Sequence, residues 1–151
     1  MDDDPTLNSQ NINSISILLV EDSNADAYLI KEFLKEINID NVLYVAKDGI
    51  EAMEFLHKNC KQDNYCPHVV ILDLNLPRMN GREVLKEIKR DNYLKKIPVM
   101  ILTTSDEEED IKDCYNNHAN CYITKPVDFD EFANRMDLIK DFWFNVVELP
   151  K

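Results

Sequence analysis

Short apolar runs alternate along this chain with segments whose apolar residues recur at three- and four-residue steps. Four of the runs end on a polar residue suited to phosphate chemistry. Ile17 to Val20 leads into Glu21 and Asp22, Val69 to Leu72 into Asp73, Val99 to Leu102 into Thr103 and Thr104, and Cys121 to Thr124 into Lys125 and Pro126. Runs this short, apolar on both faces, read as central parallel strands. If all four lie in one sheet, acids, hydroxyl and amine arrive together at its carboxyl edge, where open α/β sheets place their ligand crevice.

The pattern gives five strand–helix units. Strands are expected over Ile15 to Val20, Val42 to Ala46, His68 to Leu72, Pro98 to Leu102 and Asn120 to Ile123. The first helix carries Ala27, Ile30, Phe33, Leu34 and Ile37, with Ser23 or Asn24 as its cap. Asp48 and Gly49 turn into a helix bearing Ala52, Met53, Phe55 and Leu56. A loop from Asn75 to Gly81 precedes one with Val84, Leu85 and Ile88. The acidic run Asp106 to Asp110 suits the positive end of a fourth helix dipole, and Asp128 begins a fifth. Strict alternation with short connections implies a doubly wound α/β fold, a parallel sheet with helices on both faces. Residues 1–13 are polar and aperiodic and read as a flexible lead-in, leaving 14–147 as one domain with no effector domain expected.

Charge narrows the function classes. With 17 basic and 29 acidic side chains, the chain carries a net −12, which repels nucleic acid and anionic membranes. Nothing resembles a signal peptide or a membrane span, so a cytoplasmic location is expected. The cysteines Cys60, Cys66, Cys114 and Cys121 form no CxxC pair and, with His57, His68 and His118, match no zinc spacing. A reducing compartment would keep them as thiols, which is the expectation.

The strand-end residues suggest a reaction. A carboxylate such as Asp73 can attack phosphorus to give an aspartyl phosphate. Two anions approach only with a cation between them, and Mg2+ prefers hard oxygens of the kind Glu21 and Asp22 supply. Lys125 can pair with a phosphoryl oxygen and Thr103 can donate to another. Helix capping explains any one of these residues, but not four of them at different strand ends.

The string Leu19 to Asp22, the loop Asp73 to Gly81, the Thr103–Thr104 pair and Tyr122 to Pro126 resemble the receiver domain of two-component response regulators. The likeness covers about residues 14–145. It is nearest to stand-alone regulators that partner phytochrome-like and other hybrid sensor histidine kinases. The resemblance implies a five-stranded flavodoxin-like sheet of order 2-1-3-4-5, a three-layer (βα)5 sandwich. It implies Asp73 as phosphoacceptor and Mg2+ (or Mn2+) held by Asp22, Asp73, Glu21 through water, and the Asn75 backbone carbonyl. It further implies Thr103 and Tyr122 as a switch pair, with Thr103 moving toward the phosphoryl group and Tyr122 filling the vacated space. Lys125 would be the family's lysine, usually in a cis bond to Pro126. One departure is that His118 precedes Ala119 where the family often has glycine.

The last helix is richer in apolar residues than one core face needs. Phe132, Met136, Ile139, Trp143 and Val146 form a stripe, while Leu138, Phe142 and Phe144 fall off it and are expected at an interface. The expected output is docking, or a homodimer through the face of helix 4, strand 5 and helix 5. Enzymatic turnover is not expected. Rival readings are a phosphate relay or sink, an Asp-nucleophile phosphatase, which would want an acid where Asn75 stands, a flavin-binding module, and a receiver-like domain that never takes phosphate.

Overall fold

The computed structural model describes residues 14–36, 40–61 and 65–150. The expected lead-in at 1–13, Ile37, and the side chain of Val146 lie outside the described residues. Five parallel strands form one sheet in the order β2-β1-β3-β4-β5. They are β1 (Ile15–Val20), β2 (Asn41–Ala46), β3 (Val69–Leu72), β4 (Val99–Thr103) and β5 (Cys121–Thr124). The helices are α1 (Asn24–Lys35), α2 (Gly49–Cys60), α3 (Gly81–Arg90), α4 (Glu108–Asn116) and α5 (Phe129–Lys140), and α5 runs on into a π-helical segment, Asp141–Val146. The expected fold class and strand order both hold.

Side-chain alternation along the strands divides the core in two. Leu18 and Val20, Val70 and Leu72, and Val99 and Ile101 pack with Ala52, Met53 and Leu56 of α2, Val84, Leu85 and Ile88 of α3, and Cys114 of α4. Their neighbours Ile17 and Leu19, Val69 and Ile71, and Met100 and Leu102 pack with Ala27, Ile30 and Leu34 of α1 and Phe132, Met136 and Ile139 of α5. A period of two on a sheet buried on both sides makes every residue of β3 and β4 apolar until the edge is reached. The helices start where the caps predict. Ser23, Asp48, Asn80 and Asp128 each accept a backbone N–H three residues on. α4 has no such side-chain cap, and Cys114 is its one buried residue.

Three expectations are corrected. Cys60 and Cys66 form a disulfide, with Cα atoms 4.4 Å apart, across the α2–β3 connection. The expectation of thiols rested on a reducing compartment and took no account of two cysteines brought together by one connection. Cys114 and Cys121 remain thiols, and burial pushes both to about 11. Phe144 is buried rather than exposed. After Lys140 the backbone widens to π-helical turns, whose i→i+5 bonding aligns Phe144 with Ile139, five positions earlier, in the same core. An α-helical period had carried it off that stripe. The Lys125–Pro126 bond is trans, since no described peptide is cis, the isomer an X–Pro bond prefers by about 0.5–1 kcal/mol.

The missing glycine before Ala119 has a visible consequence. His118 N–H donates to Tyr115 O and Ala119 N–H to Cys114 O, each at 3.0 Å, the paired bonds of a helix-ending motif whose left-handed residue is usually glycine. Here His118 takes that conformation, at φ 70°. No helix among the described residues is long and apolar enough to cross a membrane.

Candidate functional site

The register of the sheet sets where its acids emerge. Val20 is opposite Leu72, so Glu21 and Asp73 are the next residues out on adjacent strands. Backbone bonds fix both exits: Glu21 N–H donates to Ala46 O and Asp73 N–H to Val20 O, each at 3.0 Å. Thr103 is opposite Thr124, and Lys125 N–H donates to the Thr103 carbonyl at 2.6 Å. From there the Lys125 side chain passes the ends of β4 and β3 to reach the acids.

Its ammonium donates to Glu21 Oε1, to Asp26 Oδ2 at 3.1 Å and to Asp73 Oδ2 at 3.1 Å. The second oxygen of each strand-end acid is also engaged. Glu21 Oε2 accepts from Ser23 N–H at 3.1 Å, and Asp73 Oδ1 from Asn75 N–H at 3.2 Å. Glu21, Asp73 and Lys125 are buried, while Asp22 is exposed. Burial raises the Glu21 carboxyl to about 7, against the lowering pull of the hydrogen bond and charge of Lys125. Burial alone would lower the Lys125 ammonium, but the Glu21 hydrogen bond and the Asp73 and Glu21 charges outweigh it and hold the pKa above the usual lysine value. Lys125 is therefore a fixed positive charge.

One amine does not balance the acids around it. Glu21, Asp22 and Asp73 each offer a carboxylate oxygen, all within 4.8 Å of one another. That all-oxygen set, with excess negative charge, suits a hard divalent cation. Thr103 Oγ1 adds a second mark of an incomplete site. It is fully buried, and it is the one buried side-chain polar atom without a hydrogen bond among the described residues. Leaving it unpaired costs about 1–3 kcal/mol.

Glycine shapes the floor. A Cβ on Gly81 would stand 2.0 Å from the Asp73 carbonyl oxygen and 2.7 Å from Leu74 Cα. Gly81 N–H donates to Leu74 O at 2.9 Å, so the start of α3 rests directly on the backbone that carries Asp73.

Tyr122 lies away from the acids. Its ring packs on the α2–α3 face of the core, and its hydroxyl donates to Ser105 O at 2.8 Å. Ser105 Oγ donates to Asp110 Oδ2 at 2.6 Å, and Asp110 Oδ1 accepts from Arg82 Nε at 3.1 Å and Nη2 at 2.5 Å. The Ser105 and Arg82 hydrogen bonds hold the Asp110 carboxyl below its ordinary value. Leu138 and Phe142 are exposed as expected.

The structure thus brings Glu21, Asp22, Asp73 and Lys125 together. Thr103 touches the group through its backbone bond to Lys125, Asn75 through its N–H, and Tyr122 joins a separate chain of bonds. Sequence reasoning missed Asp26, Arg82, Ser105 and Asp110. The Ser23–Asp26 spacing, that of a helix capping box, marked Asp26 as a first-turn acid. It gave no sign that the carboxylate turns away from the cap toward Lys125.

Comparison with known proteins agrees with this geometry. The response regulator receiver domain family matches residues 17–137. Response regulator Rcp1 from Synechocystis sp. is 46% identical over 135 residues, spanning 89% of this chain and 92% of the relative. The crystal structure of its Mn2+-bound form superposes with a TM-score of 0.85 at 45% identity, covering 91% of this chain and 99% of that one. The phosphorylated cyanobacterial phytochrome response regulator RcpA gives 0.85 at 42% identity, with the same 91% and 99% coverage. The bacteriophytochrome response regulator AtBRR gives 0.64 at 38% identity, covering 81% and 91%.

Proposed function

Because the chain belongs to the response regulator receiver domain family, we propose that it accepts a phosphoryl group on Asp73 from a sensor histidine kinase and signals through phosphorylation-dependent protein contacts. The observation that carries this reading is the Lys125 ammonium lying 3.1 Å from Asp73 Oδ2 beside a cation-ready trio of acids. Its phytochrome-associated relatives favour a phytochrome-like kinase as donor, and the protein acts in the cytoplasm.

Asp73 Oδ attacks phosphorus as the bond from phosphorus to the donor's imidazole nitrogen breaks. The electron pair stays on the imidazole, which takes up a proton. Glu21, Asp22, Asp73 and the Asn75 carbonyl would hold Mg2+ (or Mn2+), which supplies the positive charge that lets phosphate approach a carboxylate. Lys125 neutralises one phosphoryl oxygen. Thr103 gains from another oxygen the acceptor it lacks, and Tyr122 responds to its movement. The altered face is that of α4, β5 and α5, where exposed Leu138 and Phe142 form the edge of a homodimer or docking contact. An Asp-nucleophile phosphatase would need an acid where Asn75 stands, so Asp73 is read as a phosphoacceptor rather than as the nucleophile of a turnover enzyme.

Intact mass after incubation with a small phosphodonor and Mg2+ is the test. One phosphoryl adduct on the wild type and none on Asp73→Asn supports the proposal. An adduct that survives Asp73→Asn, or none on the wild type, overturns it.

A further inference from the structure

Lys125 has three N–H donors and meets three carboxylates: Glu21, Asp26 and Asp73. These partners are not equivalent. Glu21 and Asp73 also belong to the trio able to hold a cation, and Asp26 does not. Asp73 is, in addition, the residue whose oxygen becomes phosphorylated if the preceding proposal holds. Two of the three anchors of the ammonium are therefore committed elsewhere once the site is loaded.

We infer that Asp26 is a positioning residue, the anchor that keeps the Lys125 ammonium over Asp73 while the other two carboxylates are engaged by the cation and the phosphoryl group.

The local sequence explains how Asp26 is available for this. In a capping box the third residue after the cap turns back to the cap's own N–H. Here the Ser23 N–H is already taken by Glu21 Oε2 at 3.1 Å. Ser23 Oγ still accepts from the Asp26 N–H at 3.2 Å, which fixes the backbone and leaves the carboxylate to turn toward the pocket. Its side chain is one-third exposed, against 4% for that of Lys125, so Asp26 stands at the rim and the amine lies inside. The inference rests on the reading of Asp73 as phosphoacceptor only for its consequence in catalysis, and not for the anchoring itself.

Two measurements separate those layers. The first follows acetylation of Lys125 by mass spectrometry at saturating Mg2+, with exposed Lys31 as internal reference. Asp26→Ala should raise Lys125 labelling about ten-fold, the size expected for losing a charge-assisted hydrogen bond. Asp26→Glu should restore most of the protection, and Mg2+ affinity should stay within about two-fold, because Asp26 is not a ligand. Unchanged labelling in Asp26→Ala, or a collapse of Mg2+ affinity, overturns the inference. The second compares phosphorylation rates at saturating Mg2+. Asp26→Asn should slow the wild type about ten-fold and have little effect in a Lys125→Ala background, since Asp26 acts through the lysine. Equal slowing in both backgrounds overturns it. If the wild type takes no phosphoryl group, the functional proposal fails on its own, and the labelling result alone decides the role of Asp26.

Discussion

The two ends of the sheet are built on opposite rules. At the amino end, polar groups are paired off. Ser16 N–H donates to His68 Nδ1 at 2.9 Å and His68 N–H to Ser16 O at 2.8 Å. Asn120 Oδ1 accepts from Val99 N–H at 2.8 Å and from Lys89 Nζ at 3.2 Å, and Lys89 also donates to Ile97 O at 2.8 Å. The Cys60–Cys66 bridge closes the loop there. At the carboxyl end, acids crowd one amine and Thr103 keeps a buried hydroxyl without a partner. The amino end pairs its polar groups within the chain, whereas the unmet bonding that a ligand can satisfy lies at the carboxyl end.

The largest expected effect breaks that division from the carboxyl end. Gly81→Ala drives a Cβ to 2.0 Å from the Asp73 carbonyl oxygen. Backbone must move, at a cost of about 3 kcal/mol, which urea unfolding would register together with slowed phosphorylation. The amino end should yield next. Reducing Cys60–Cys66, six positions apart, should remove about 2 kcal/mol of unfolding free energy while leaving phosphorylation of Asp73 intact. A loss of phosphorylation on reduction would mean that the two ends are coupled.

How much of this was legible in the sequence differs in the same way. Asp73, Glu21 and Lys125 could be read because apolar runs of fixed period end on them, and parallel register carries those ends to one edge. Asp26 could not be read, since capping-box spacing predicts a bond to the backbone and the choice between backbone and Lys125 is tertiary. Phe144 was misplaced because a change of helical period leaves no mark in composition. The Cys60–Cys66 bridge was missed because loop closure has no periodic signal. The His118 turn was half legible: an absent glycine was visible, but not that histidine would accept its backbone conformation.

Smaller effects sharpen the comparison. Burial sets the folded Glu21 pKa at about 7, above the ordinary 4.5, so without metal the folded chain holds this proton more tightly than the unfolded one. That contribution to stability is fully present below the unfolded value and is lost as pH rises through about 7. Metal binding has the opposite sign, because the ligand must be ionised. Mg2+ affinity should fall about ten-fold from pH 8 to pH 6, read by titration calorimetry. A pH-independent affinity would remove Glu21 from the site. Thr103→Val should stabilise the unphosphorylated protein by about 1 kcal/mol by deleting the unpaired hydroxyl, while abolishing the phosphorylation-driven change at Tyr122. At the amino end of β5, His118→Gly relieves the left-handed strain and gives back some chain entropy. The net gain should be about 0.5 kcal/mol in urea unfolding, with no change in phosphorylation.

The most direct test of the central claim is a crystal structure with Mg2+ and beryllofluoride as the phosphoryl mimic. The mimic should sit on Asp73, with the cation among Glu21, Asp22 and Asp73 and with both the Thr103 hydroxyl and the Lys125 ammonium within hydrogen-bond distance of its fluorines. A mimic seated on another side chain, or a Thr103 hydroxyl still unpaired beside it, would contradict that claim.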